Sequence, residues 1–235
     1  SKKNKIYYLG NCFYYDTIFS PAILQIYPTE IEKLSQAINL GKLKNVLDIG
    51  ANIGQFGYTL KSFYPNLNVY SFEANKEIFS LLKKNSSYFN RWKVYGKAVG
   101  NKNGNFHFFY SPSASVEGTF IQENTSQNYT RKDVKKINVE MVKLNKENLI
   151  KFKIPKNIDL VKVDVEGYEK EVLESLKDIN FKYLYIEIST EKRKGGDIKT
   201  IQELIKKFGK ESKLIYCDYQ NKYSPCANAL FSLSK

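Results

Sequence analysis

The chain has 235 residues, of which 42% are hydrophobic and 14% aromatic; that builds one full α/β core and is too short for two large domains. This composition excludes a disordered chain, and no apolar run approaches the roughly 20 residues that span a bilayer. The formal charge of +13 has two readings, solvated lysine faces or attraction to a polyanion such as nucleic acid or a membrane surface.

Residues 1–40 read as an N-terminal helical and aromatic cap, and 41–235 as one further domain. The first thirty residues are aromatic and irregular (Tyr7, Tyr8, Phe13, Tyr14, Tyr15, Phe19). Ser20-Pro21 can open a short helix. Thr29 with Glu32 forms a capping box for a helix that Gly41 stops, with Ile31, Leu34 and Ile38 on one face. An alternation then begins: strand 46–49, helix 54–63 closed by Pro65-Asn66, strand 68–73, helix 76–84 and strand 94–99. This β-α-β-α-β rhythm predicts a mostly parallel sheet covered by helices on both faces. Residues 101–142 interrupt it with a hairpin and loop insertion: a turn at Asn103-Gly104, a strand over 105–110, a long exposed loop over 111–132 and a strand over 137–144. Long loops of this kind are often functional, so 111–132 is a candidate acceptor-binding segment. A helix over 146–151 follows, then strand 159–165, helix 168–176, strand 183–188, helix 197–208 and strand 213–217. A turn at Ser224-Pro225 leads to a final strand, 227–233, expected to lie antiparallel at the sheet edge.

The organising stretch is Asn45–Gly57. Its apolar strand ends in a turn built on Gly50 and Gly54, where glycine lets the backbone pass close to a ligand. A pyrophosphate can occupy such a corner. Here Asp48 would repel it, and the Asp-x-Gly-x-x-x-Gly spacing, with Asn52 inside, departs from Gly-x-Gly-x-x-Gly. A carboxylate at that point suits the ammonium of a methionine moiety, which points to S-adenosylmethionine (SAM).

Open parallel sheets bind ligands at the C-terminal ends of their strands. Four strands finish in carboxylates, Asp48, Glu73, Asp164 and Glu187, and buried acids are rare without partners. Glu73 can accept both hydroxyls of a ribose, or cap the following helix. Ala98-Val99 is small enough for an adenine to lie flat.

Four segments together resemble the FkbM family of SAM-dependent methyltransferases: Val46–Gly54, Phe72–Asn75, Lys97–Gly100 and Val161–Glu169. The resemblance covers about 44–190, and Asp164-Val165-Glu166-Gly167 is its most specific element. It implies a Rossmann-like class I methyltransferase fold with a seven-stranded sheet, and methylation of hydroxyls on sugars of glycans or glycosylated metabolites. By position, it implies that Asp48, Gly50, Ala51, Asn52 and Gly54 surround the methionine part of the donor. Glu73 would hold the ribose, and Ala74, Asn75 and Ala98 would flank the adenosine. Asn145 departs from the aspartate common at its place in the family.

An alcohol is a poor nucleophile and needs a base or a metal to lose its proton. Asp164 is the leading catalytic candidate, with Glu166 and Glu187 completing an acidic mouth. Two mechanisms stand, a carboxylate base or a Mg²⁺ held by Asp164 and Glu187. Glu166 can equally cap the next helix, Glu169 and Glu171 fit a solvated helix start, and His107 fits packing within a Phe/Tyr strand better than catalysis. A saccharide or glycoconjugate acceptor is therefore expected. Nucleic acid is disfavoured: Arg91, Arg131 and Arg193 are the only arginines among 37 basic residues, and arginine is the better fork for phosphate. A non-catalytic SAM- or nucleotide-binding module is the remaining alternative. Cys12, Cys217 and Cys226 show no metal-ligand spacing, and a cytoplasmic setting is expected.

Overall fold

The computed structural model describes residues 4–15, 24, 26–111, 114–120, 134–189, 197–207, 210–219 and 226–234. Its centre is a seven-stranded sheet. The strands are β3 (Asn45–Ile49), β4 (Asn68–Phe72), β5 (Trp92–Tyr95), β10 (Asn157–Val163), β11 (Asn180–Ser189), β12 (Glu211–Tyr219) and β13 (Cys226–Ser234). Their order is β12-β13-β11-β10-β3-β4-β5. The pairs from β11 through β5 are parallel, while β13 runs antiparallel to both neighbours.

Helices cover both faces, as parallel strands buried on two sides require. One face carries α1 (Ile26–Ala37), α2 (Gln55–Phe63) and α3 (Lys76–Ser86), packed through Ile31, Leu34, Phe56, Leu60, Leu81 and Leu82. The opposite face carries α4 (Lys146–Phe152), α5 (Glu169–Ser175) and α6 (Ile198–Lys207), packed through Leu149, Val172, Leu173, Ile201 and Leu204. Among the described residues no helix is long and apolar enough to cross a membrane.

Several details differ from the sequence expectations. The aromatic N-terminus is not irregular: β1 (Asn4–Tyr8) and β2 (Asn11–Tyr15) form an antiparallel hairpin. Phe13 is fully buried and meets Tyr58 edge-on at 5.0 Å. Asn85 clips the hairpin down, accepting from the Tyr14 amide at 2.8 Å and donating to the carbonyls of Tyr14 and Ile53. The expected helix at Ser20-Pro21 lies outside the described residues. Thr29 and Glu32 stand inside α1 rather than at its start, because the helix already runs from Ile26, and it ends at Ala37 before Gly41. A single strand over 94–99 is instead two. Gly96 breaks it where any Cβ would press on the Phe79 ring at 2.8 Å, so β5 stays in the main sheet while β6 (Ala98–Val99) joins another.

That second sheet is the insertion. β7 (Gly104–Ser111), β8 (Ala114–Thr119) and β9 (Lys135–Val142) combine with β6 in the order β6-β9-β7-β8. Part of the expected loop 111–132 is thus strand β8, and 121–133 lies outside the described residues. The final strand is antiparallel but not at the edge: β13 lies between β11 and β12. Its Ala227, Ala229, Leu230 and Phe231 are all buried, whereas β12 alternates between exposed and half-buried positions. The more apolar strand takes the interior and the alternating one takes the rim.

Gly57 tests how tightly these layers meet. Alanine normally stabilises a helix interior relative to glycine by about 1 kcal/mol. Here a Cβ would fall 2.4 Å from the Trp92 ring, and that ring is held by its indole N–H donating to Ser71 Oγ at 2.9 Å. Overpacking costs roughly 1–3 kcal/mol, so Gly57→Ala is expected to lower the thermal unfolding midpoint by several degrees, followed by circular dichroism. An unchanged or raised midpoint would show that the Trp92 contact yields.

Candidate active site

The C-terminal ends of β3 and β10 approach each other at Gly50. The Asp164 amide donates to the Ile49 carbonyl at 3.0 Å, and a Cβ on Gly50 would sit 1.8 Å from the Asp164 carbonyl oxygen. Gly50 also has φ +80°, so glycine is required twice over. The chain then turns through Asn52, left-handed at φ 52°, a conformation asparagine tolerates. Above this crossing opens a cavity of about 330 Å³, within the range of small-ligand pockets.

On one side the cavity wall is formed by Gly50, Ala51, Asn52, Phe72, Glu73, Ala74, Asn75, Ala98 and Val99. Glu73 is fixed from two directions, with Oε2 accepting from the Asn52 amide at 2.9 Å and Oε1 from the Asn75 amide at 2.8 Å. Burial pushes its carboxyl up to about 7 against the pull of those amides. Asn75 itself caps α3, its side chain accepting from the Glu77 amide. The cap that the sequence allowed for Glu73 is therefore made by Asn75. Phe108, Phe120 and Tyr168 close this side from the insertion and the start of α5, with ring centroids of Phe120 and Tyr168 4.8 Å apart.

The other end is acidic. Carboxylate oxygens of Asp164, Glu166 and Glu187 lie within 4.8 Å of one another, and all three residues are half-buried. Glu166 is held left-handed at φ 52° ahead of Gly167 at 98°, and its carbonyl accepts from Thr119 Oγ1 of β8 at 2.7 Å. The insertion is thereby tied to the Asp164–Gly167 turn. Glu169 is not a solvated helix start: it is 3% exposed, accepts from the Gly167 amide at 3.0 Å, and burial pushes its carboxyl up to about 7.

Lys162 stands beneath this end. It is 4% exposed, and its Nζ lies 3.0 Å from Asp164 Oδ2. It pairs in register with Asp48 of β3 on one side and Tyr185 of β11 on the other. Burial pulls its ammonium down, but Asp164 and Asp48 outweigh that and hold its pKa above the usual lysine value. Asp48 is fully buried; Oδ2 accepts from Ser71 Oγ at 3.0 Å and Oδ1 has no partner. Burial raises its pKa, opposed by Lys162 and the Ser71 hydroxyl.

The residues singled out from sequence thus divide. Gly50, Ala51, Asn52, Glu73, Ala74, Asn75, Ala98, Asp164, Glu166 and Glu187 share one wall. Asp48 and Gly54 stand behind it: Asp48 faces Ser71 and Lys162 within the sheet, and Gly54 packs against Leu82 and Trp92. His107 lies elsewhere, exposed on β7 with Nδ1 2.8 Å from Asn138 Oδ1. Sequence reasoning missed Lys162, although a lysine between Val161 and Val163 in an apolar strand is itself a signal. It also missed Gln55, whose buried Oε1 has no partner, and Tyr27 and Glu30, which α1 brings to the wall.

Comparison with known proteins agrees with this geometry. The Methyltransferase FkbM domain model matches residues 48–213. "Methyltransferase 1" of Beauveria bassiana (strain ARSEF 2860) is 26% identical over 179 residues, covering 70% of this chain and 71% of its own length. "Methyltransferase sdnD" of Sordaria araneosa is 27% identical over 165 residues, covering 60% and 63%. The M. jannaschii TYW2 crystal structure in complex with AdoMet superposes with a TM-score of 0.55 at 15% identity, covering 98% of this chain and 86% of that one, a likeness of fold. With the seven-stranded sheet and its helices, this fold is the Rossmann-like class I methyltransferase fold, and the chain belongs to the FkbM methyltransferase family.

Proposed function

We propose that this methyltransferase uses SAM as donor and methylates a hydroxyl of a saccharide, in a surface polysaccharide, a lipid-linked glycan or a glycosylated metabolite, in the cytoplasm. The observation that carries this reading is the division of one cavity into an apolar half around Glu73 and an acidic half around Asp164. The donor fits the residues present. Glu73 keeps free lone pairs for ribose hydroxyls after accepting two amides. Gln55 Oε1 is a buried acceptor with no partner among the described residues, and buried acceptors are rarely left unpaired. When bound, SAM supplies a methyl group already activated on a cationic sulfonium.

The protein's own contribution is then to place a hydroxyl and remove its proton. Asp164 lies at the acidic end of the wall, ion-paired to a buried lysine. In this reading its carboxylate takes the proton, while Glu166 and Glu187 accept hydrogen bonds from neighbouring hydroxyls. A second reading has a specific observation behind it: three carboxylates within 4.8 Å are the all-oxygen set a hard cation such as Mg²⁺ takes. The Lys162 ammonium at Asp164 Oδ2 competes for that position, which favours the carboxylate as base.

Calorimetry is expected to show micromolar-range SAM binding that tightens as pH rises. Burial pushes Glu73 up to about 7, so it is largely protonated at pH 6 and ionised at pH 8. If only the ionised form accepts the ribose, affinity gains roughly tenfold over that interval. Glu73→Gln is expected to weaken binding and remove most of the pH dependence; a flat wild-type profile would refute the ribose role. Asp164→Asn at saturating SAM is expected to lower turnover by about 10²–10⁴-fold with SAM affinity within a few-fold of wild type. Turnover that survives EDTA supports the base. Loss restored by Mg²⁺ transfers the role to a metal.

A further inference from the structure

Part of the cavity wall comes from α1, which precedes the matched segment 48–213. This helix turns Tyr27 and Glu30 toward the cavity. Glu30 is placed by the Tyr185 hydroxyl of β11, to which it is hydrogen-bonded, and it faces Lys162, Asp164 and Asp48. Burial pushes its carboxyl up to about 7, so it carries partial negative charge at neutral pH. Among the described residues two lysines also reach the cavity, and both are engaged. Lys162 is paired with Asp164, and Lys97 is ion-paired to Glu140 on β9.

We infer that Glu30 is a specificity-determining residue, which accepts a hydrogen bond from the acceptor and restricts this enzyme to acceptors with no anionic group near the methylated position. The inference rests on the methyltransferase reading of this cavity and narrows its substrate class to neutral or amino-bearing polyols. The physical ground is the sign of the wall. A phosphate or carboxylate brought into the cavity meets Glu30 as well as Asp164, Glu166 and Glu187, and among the described residues both lysines that line it already carry ion pairs. Like charges about 4 Å apart at a partly buried site repel strongly, and such repulsion selects partners as effectively as attraction does. A hydroxyl or ammonium donates to the same oxygens instead. In the sequence Glu30 reads as one more polar residue of an amphipathic helix.

The test uses the full chain with methyl-labelled SAM and a panel of methyl glycosides. Neutral hexoses, deoxyhexoses and hexosamines are each paired with a phosphorylated or uronic-acid counterpart. Wild type is expected to label neutral or amino members at least tenfold faster than their anionic counterparts. Glu30→Gln, close to isosteric and still able to meet the Tyr185 hydroxyl, is expected to shrink that ratio to within about threefold while SAM affinity by calorimetry stays within twofold. Glu30→Asp, which keeps the charge, is expected to retain the discrimination. Preference for anionic acceptors or an unchanged ratio in Glu30→Gln overturns the inference alone, and no labelling of any glycoside by a SAM-binding wild type overturns it together with the saccharide acceptor. Failure of wild type to bind SAM overturns the donor assignment beneath it.

Discussion

One buried ammonium organises the ligand end of this fold. Lys162 lies in the central strand of the sheet, beside Asp48 in register and 3.0 Å from Asp164. A charge placed where water cannot reach it is costly unless paired, and here each partner justifies the others. Without Lys162, two adjacent strands would carry carboxylates into the same low-dielectric layer with nothing opposite. Removing one member of such a set typically costs about 3–5 kcal/mol, because the survivors stay buried and unpaired. The polar row continues across β3 and β4 through Ser71, which links Asp48 to the Trp92 indole.

Around this fixed centre the cavity is assembled from parts of different origin. The matched segment 48–213 supplies the Gly50 turn, Glu73, the aromatic side and the Asp164–Gly167 turn. Outside it, α1 supplies Tyr27 and Glu30, and β13 supplies Asn228. The insertion is joined to the Asp164–Gly167 turn through the Thr119–Glu166 bond, which couples the side that carries Phe108 and Phe120 to that turn. A methyltransferase of this plan can keep its central sheet constant and vary the cavity through peripheral elements, as in other folds that host many chemistries by varying what surrounds a rigid sheet.

Much of this was legible in the residues. The apolar runs at Val46, Val69 and Val161 gave the parallel strands. Gly50, Glu73 and Asp164 marked residues that line one cavity, since special backbone freedom and strand-terminal acids are local signals. What stayed hidden depends on burial and on distant partners. Asp48 reads as a ligand contact until Lys162 is seen beside it in register. Glu169 reads as a solvated helix start until the Gly167 amide folds onto it. The true start of α1 was obscured because Thr29 and Glu32 carry a capping pattern that tertiary packing overrides. The break at Gly96 needed the Phe79 ring, which comes from another element. Glu30 has no sequence signature at all, because its meaning comes wholly from the strand it faces.

The interior place of β13 bears on how the protein is made. Asn228 of β13 pairs in register with Glu187 of β11 and lines the same cavity, so a strand that follows both β11 and β12 in the chain finishes one side of the pocket. Until it arrives, β11 presents a naked edge and β12 has no neighbour with which to pair. Before β13 docks, the chain can hold the Gly50 turn and Glu73 but lacks the Asn228 part of the cavity wall. In such an intermediate the open β11 edge is where the chain is most exposed to mispairing.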